Sequence, residues 1–186
     1  MVQNQALSGL VQLCERIIML KRMPRMGWLQ RGVPHPESVA DHSFSVAALA
    51  ITMAAFFPDL QRNRVAELAI LHDLGEVLLT DLPLSAQHLL GKPAKQAAEL
   101  QAIDTLFADL PHHDQLIALW QEYTQASTPE ARFIKALDRI ELLAQALAYE
   151  QAGQRNLAEF WQGYDQGWDE FPLLGQLAAT LVQQRP

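Results

Sequence analysis

Apolar residues in this chain recur at helical spacing, and no segment sustains the period-two alternation of a half-buried strand, so the sequence predicts an all-α fold. Leu7, Leu10, Val11, Cys14, Ile17 and Ile18 follow the i, i+3, i+4 rhythm of one helix face, which predicts a first helix ending near Lys21, before Pro24. A loop rich in Pro and Gly runs to about Ser38. The stretch from Val39 to Phe57 is so dense in Ala, Leu, Ile, Met and Phe that it predicts a largely buried helix, stopped by Pro58. Another helix is expected from about Arg62 to Leu79, closed by the breaker Thr80-Asp81-Leu82-Pro83. Further helices are expected from about Pro93 to Ala108, His113 to Gln125 and Pro129 to Gln151, with shorter pieces running to Gln184. Thr128 followed by Pro129 supplies an N-cap and a first-turn proline. With no repeat and no long linker, the architecture expected is a single irregular helical bundle.

The 186 residues suffice for one domain with a substantial core, and residues 1–186 are read as one unit. An apolar share of 49% suits an ordinary soluble protein. No stretch reaches the roughly 18 uncharged apolar residues of a membrane span, so no membrane partner is expected. The N-terminal run lacks an early positive cluster and carries Glu15 and Arg16, which makes it a poor secretory signal. Cys14 is the only cysteine, which excludes an intramolecular disulfide and a multi-cysteine zinc site and agrees with a reducing, cytoplasmic location. A net charge of -7 argues against a nucleic-acid polymer as partner, because duplex affinity depends on many Lys and Arg contacts to phosphate. An anionic substrate would have to meet a local basic patch. Lys21, Arg22, Arg25 and Arg31 form one, and it reads either as such a site or as a solvated charged turn.

The sharpest local anomaly lies between Ala69 and Leu79, where His72, Asp73 and Glu76 interrupt a run that otherwise belongs in a core. Taking an isolated carboxylate out of water costs several kcal/mol, so Asp73 and Glu76 must line a cleft or face a cation. His72 and Glu76, four residues apart, are expected on the same helical face, with Asp73 about 100° round. The plainer alternative is a core histidine bonded to a neighbouring carboxylate. His42 and Asp138 weigh against it, since each also breaks into an apolar helix face. Two imidazoles and two carboxylates make a mixed nitrogen and oxygen set that suits Mn²⁺, Fe²⁺, Co²⁺, Ni²⁺ or Zn²⁺ better than Ca²⁺. The second His-Asp pair, His113-Asp114, follows Pro111 and His112 and reads as a surface turn or helix start. His35, between two prolines, reads as exposed. His88 could serve a second metal but reads rather as a satisfied interior or surface histidine.

The ordered set His42, His72-Asp73, Asp138 resembles the H…HD…D signature of the HD superfamily of metal-dependent phosphohydrolases. Leu20 to Trp28, Pro36 to His42, His72 through Asp81, and Ala131 to Asp138 look like its 5'-deoxynucleotidase branch, and the resemblance covers about residues 7–150. It implies the HD-type helical bundle, with residues 151–186 packing on it, and one divalent cation held by His42, His72, Asp73 and Asp138. It further implies catalysis by Glu76, phosphate contact by Arg22, a sugar-side role for Asp81, and a homodimer. The activity it implies is hydrolysis of a nucleoside 5'-monophosphate. Met23 stands where a bacterial member carries a tryptophan that packs on the sugar, so the resemblance implies a looser choice between deoxyribose and ribose. Trp28 is close in sequence and reads equally as a packing residue. Rival readings are an HD enzyme for a cyclic dinucleotide or nucleoside triphosphate, and a non-catalytic nucleotide-binding module.

Overall fold

The computed structural model describes the backbone of residues 2–186 and the side chains from residue 7 onward. In chain order the helices are α1 (Val2–Leu20), α2 (Met26–Gln30), α3 (Val39–Met53), α4 (Arg62–Leu71), α5 (Glu76–Leu79), α6 (Leu84–Leu90), α7 (Lys92–Phe107), α8 (His113–Gln125), α9 (Pro129–Gln151) and α10 (Pro172–Gln183). Short 3₁₀ turns cover Ala54–Phe56 and Ala158–Trp161. Among the described residues there is no strand, only one isolated bridge between Pro24 and Ser38.

The long α9 is the axis of the fold. Thr128 caps it by accepting a hydrogen bond from the Ala131 amide, and Pro129 occupies its first turn. Its apolar stripe of Phe133, Ile134, Leu137 and Ile140 is buried, and α3, α4, α8 and α10 pack around it. Each such side chain contributes about 1.5–3 kcal/mol by leaving water. This larger cluster is joined by a second, built from Leu20, Val39, Leu74, Val77, Ile103, Phe107 and Trp120. Leu71 packs against both. The residue after it is His72, so the His-Asp pair stands on the seam between the two clusters.

Three features of the fold were not given by the spacing of residues alone. The single helix expected from Arg62 to Leu79 is two, because residues 72–75 tighten into turns whose amides bond three residues back, as in Leu74 N–H to Leu71 C=O and Glu76 N–H to Asp73 C=O. Gly75 permits this close packing, since a Cβ there would lie 3.3 Å from Ile103 Cγ1. The apolar face of α1 does not point inward: Leu7, Leu10, Val11, Cys14, Ile17 and Ile18 are all exposed, and the helix is anchored by Leu20 and Leu13 instead. Finally, Val39–Phe56 is long and apolar enough, by length and composition, to cross a membrane. The expectation that this segment is largely buried does not hold: one side buries Val46, Ala47 and Ala50 in the cluster around α9 and Val39 in the second cluster, while Phe44, Ile51 and Phe56 on the other side are exposed.

Candidate metal centre

His42 lies in the first turn of α3. A reciprocal cap fixes that turn: Ser38 Oγ accepts from the Asp41 amide, and Asp41 Oδ2 accepts from the Ser38 amide at 2.9 Å. His72 and Asp73 sit in the tightened turn after α4, and Asp138 lies midway along α9. Three separate stretches therefore deliver their side chains to one point. His42 Nε2 is 3.4 Å from His72 Nε2, 3.5 Å from Asp73 Oδ2 and 3.1 Å from Asp138 Oδ1, while Asp73 Oδ2 is 3.2 Å from His72 Nε2.

The tautomers decide what this cluster can hold. His72 Nδ1 lies 2.8 Å from the Ala69 carbonyl, which can only accept, so Nδ1 carries the proton. His42 Nδ1 likewise donates to Glu141 Oε2 at 2.6 Å. With Nδ1 engaged on both rings, both Nε2 atoms face the two carboxylate oxygens, where a bound cation would stand in for a proton. Such a donor set fits a divalent transition metal. Without a cation, protons take its place: burial and Arg25 oppose charge on His42, yet hydrogen bonds to Asp138 and Glu141 win and lift its pKa to about 10. Partial burial of Asp73 favours the neutral acid, but His72, His42 and Arg25 hold it well below the usual carboxylate range.

The cluster opens into a cleft of about 810 Å³. Arg25, Glu76, Asp81 and Lys135 line it alongside His72, Asp73 and Asp138. Arg25 bonds Asp73 at 3.3 Å. Glu76 Oε2 is buried and has no hydrogen-bond partner, and burial, then Asp73 and Asp81, push its carboxyl well above the ordinary range. Asp81 accepts from the Met26 amide and so ties the cleft to the start of α2. Thr80 precedes it at φ 64°, a backbone region that a β-branched residue rarely enters.

Two of the residues named from the resemblance stand elsewhere. Arg22 is exposed on the turn after α1 and does not line the cleft. Met23 is half-buried against the second apolar cluster, also outside the lining. Trp28 is a core residue, 1% exposed, with its ring 4.0 Å from that of Phe160 and its Nε1 donating to Glu37. His113 opens α8 between Asp104 and Asp114, His35 is exposed, and His88 lies at the rim of the cleft.

Sequence reasoning missed Arg25 as the guanidinium of the cleft and Glu141 as the partner of His42. The signal for Glu141 was present: it is 4% exposed on the apolar face of α9, one turn beyond Asp138. Glu37 was missed as well. Burial and the neighbouring Glu141 raise its pKa to about 7. Between the ordinary value of 4.5 and about 7 the folded chain therefore binds a proton that the unfolded chain does not, so this residue favours folding at low pH and opposes it above about 7. In chelator-treated protein, Glu37→Gln should melt close to wild type at pH 5 and be more stable by about 1–3 kcal/mol at pH 8. Thermal unfolding at the two pH values checks this, and a constant difference would contradict it.

A buried imidazole pair with two carboxylates, on a helical scaffold with an acidic and basic cleft beside it, defines a metal-site hydrolase type of centre. Residues 17–169 match the HD domain family. The chain is 33% identical to the 5'-deoxynucleotidase HDDC2 of Xenopus laevis, an alignment covering 98% of this chain and 90% of the relative. Among solved structures, a conserved hypothetical protein from Pyrococcus furiosus superposes with a TM-score of 0.82 at 35% identity, covering 93% of this chain and 99% of its own. A predicted metal-dependent phosphohydrolase from Magnetospirillum magnetotacticum superposes at 0.73 with 25% identity, covering 97% and 92%. The chain belongs to the HD domain family. HD domains are metal-dependent, and His42, His72 and Asp73 are close enough together to share an ion.

Proposed function

We propose that this chain is a metal-dependent phosphohydrolase that converts nucleoside 5'-monophosphates to nucleoside and phosphate. One observation carries the reading: two imidazole Nε2 atoms and two carboxylate oxygens converge beside a buried, unpartnered carboxyl, Glu76, and a guanidinium, Arg25, in one cleft. The relatives named as 5'-deoxynucleotidases support the choice of substrate. His42, His72, Asp73 and Asp138 would hold one divalent cation of the Mn²⁺, Fe²⁺, Co²⁺, Ni²⁺ or Zn²⁺ type. Such an ion supplies Lewis acidity towards a phosphoryl oxygen. Glu76, kept protonated by its surroundings, is suited to give a proton to the departing 5'-oxygen. Arg25 offers a planar fork to the phosphate, and its contact with Asp73 holds that fork beside the ligands. Asp81 borders the space that a sugar would fill. A homodimer accompanies this reading as a family trait.

A phosphate-release screen over nucleoside monophosphates with Mn²⁺ or Co²⁺ tests the proposal. Release only from a cyclic dinucleotide or a nucleoside triphosphate, or from nothing at all, would replace it with a rival. The position of the two arginines gives a sharper expectation. Arg25→Ala should lower kcat/KM by about 10²-fold or more on dAMP, AMP, dGMP and GMP alike, since phosphate is common to them. Arg22→Ala should cost much less. The reverse order in paired kinetics would move the phosphate contact to Arg22. Met23→Trp in the same series reads the sugar. Because Met23 packs outside the lining, the deoxy-to-ribo ratio should change by less than the roughly 10- to 200-fold that a direct pocket contact would give.

A further inference from the structure

Lys135 lies on α9 one helical turn before Asp138 and lines the same cleft. Its Nζ sits 4.0 Å from the centroid of the Tyr123 ring. That ring in turn meets His72 edge-on, with centroids 5.5 Å apart. One aromatic ring therefore neighbours both the lysine and His72 of the candidate metal centre. The cleft is rich in carboxylates, yet among the described residues none comes within ion-pair distance of the Lys135 ammonium. The neighbouring cations differ: Arg25 is bonded to Asp73, and Lys95 to Glu99 at 2.8 Å. Lysine 92 is exposed at the rim. Burial draws the Lys135 ammonium below its usual range, so an anion arriving beside it would relieve a cost already present in the fold.

We infer that Lys135 is a phosphate-binding residue of this cleft, its ammonium seated on Tyr123 to receive the phosphoryl group of a substrate whose ester oxygen faces Glu76. The inference rests on the phosphohydrolase reading and adds a second cation to it. Arg25 is tethered by Asp73 and offers a fixed fork. Lys135 is a mobile point charge that can follow the phosphate as it separates from the nucleoside. A ring beneath the ammonium keeps it desolvated without spending a carboxylate on it.

The test uses inorganic phosphate and an uncharged nucleoside, deoxyadenosine, as probes titrated calorimetrically into the Mn²⁺-loaded protein. Lys135→Met should weaken phosphate binding at least about tenfold while metal content and deoxyadenosine affinity stay as in wild type. Lys135→Arg should retain most of the phosphate affinity. Equal phosphate affinity in Lys135→Met, an equal fall for deoxyadenosine, or no measurable phosphate binding by the wild type would each overturn the inference. If Lys135→Met does not fold, Lys135→Gln takes its place, and loss of the fold in both would assign the residue to stability and overturn it too. Should the wild type bind phosphate but hydrolyse no nucleoside monophosphate, the activity reading fails while the titrations still decide the role of Lys135.

Discussion

Asp73→Ala protein is expected to stay empty of divalent metal after incubation with Mn²⁺, Co²⁺ or Zn²⁺, where the unmodified chain takes up close to one ion. Asp73 Oδ2 lies within 3.5 Å of both imidazole Nε2 atoms, so its removal takes away the charge at the centre of the cluster. It also releases Arg25 from its bond. The loss should exceed the roughly 10- to 100-fold drop in affinity that follows when only an outer hydrogen bond to a ligand is removed. Glu141→Gln supplies that comparison, because Glu141 touches His42 Nδ1 and stands away from the four donor atoms. Elemental analysis of dialysed samples reads both variants. An unmodified chain that remains metal-free would sink the proposed centre, and so would an Asp73→Ala protein that fills normally.

Glu76→Gln should keep metal and phosphate yet turn over about 10²-fold more slowly or worse, because an amide cannot transfer the proton. The substitution is nearly isosteric and removes a carboxyl whose Oε2 has no partner, so it should not lower the melting temperature of the metal-free protein. Those three readouts separate the roles. Metal loss equal to that of Asp73→Ala would make Glu76 a ligand, and a fall in melting temperature with normal turnover would make it structural.

That His42, His72, Asp73 and Asp138 belong together was legible in the sequence because each is a polar group set into an apolar helical run, where burial without a partner is too costly to leave unexplained. The bounds of α8 and α9 were legible for a local reason too, in the case of α9 the pair Thr128 and Pro129 at its start. What escaped was tertiary. The turn that splits α4 from α5 arises where two apolar clusters meet and Gly75 approaches Ile103, and nothing in the spacing of 62–79 announces that meeting. The outward apolar face of α1 has the same periodicity as an inward one, so periodicity alone could not orient it. Arg25 and Arg22 are three residues apart in one basic patch. Only the turn between α1 and α2, with the Arg25 amide bonded to the Glu37 carbonyl, sends one into the cleft and leaves the other in solvent.

The donors at positions 42, 72–73 and 138 come from stretches joined by long intervening chain, so an ion bound between them would act as a cross-link as well as a reagent. In the unfolded chain those stretches are far apart and offer it no preformed site. Folding and metal capture are then one equilibrium, and the apparent stability of the protein becomes a function of free metal: saturation to 100 times the dissociation constant adds about 2.7 kcal/mol. A melting temperature for this chain has meaning only beside a stated metal concentration. By the same linkage, metal scarcity would shorten the lifetime of the folded protein as well as slow its chemistry.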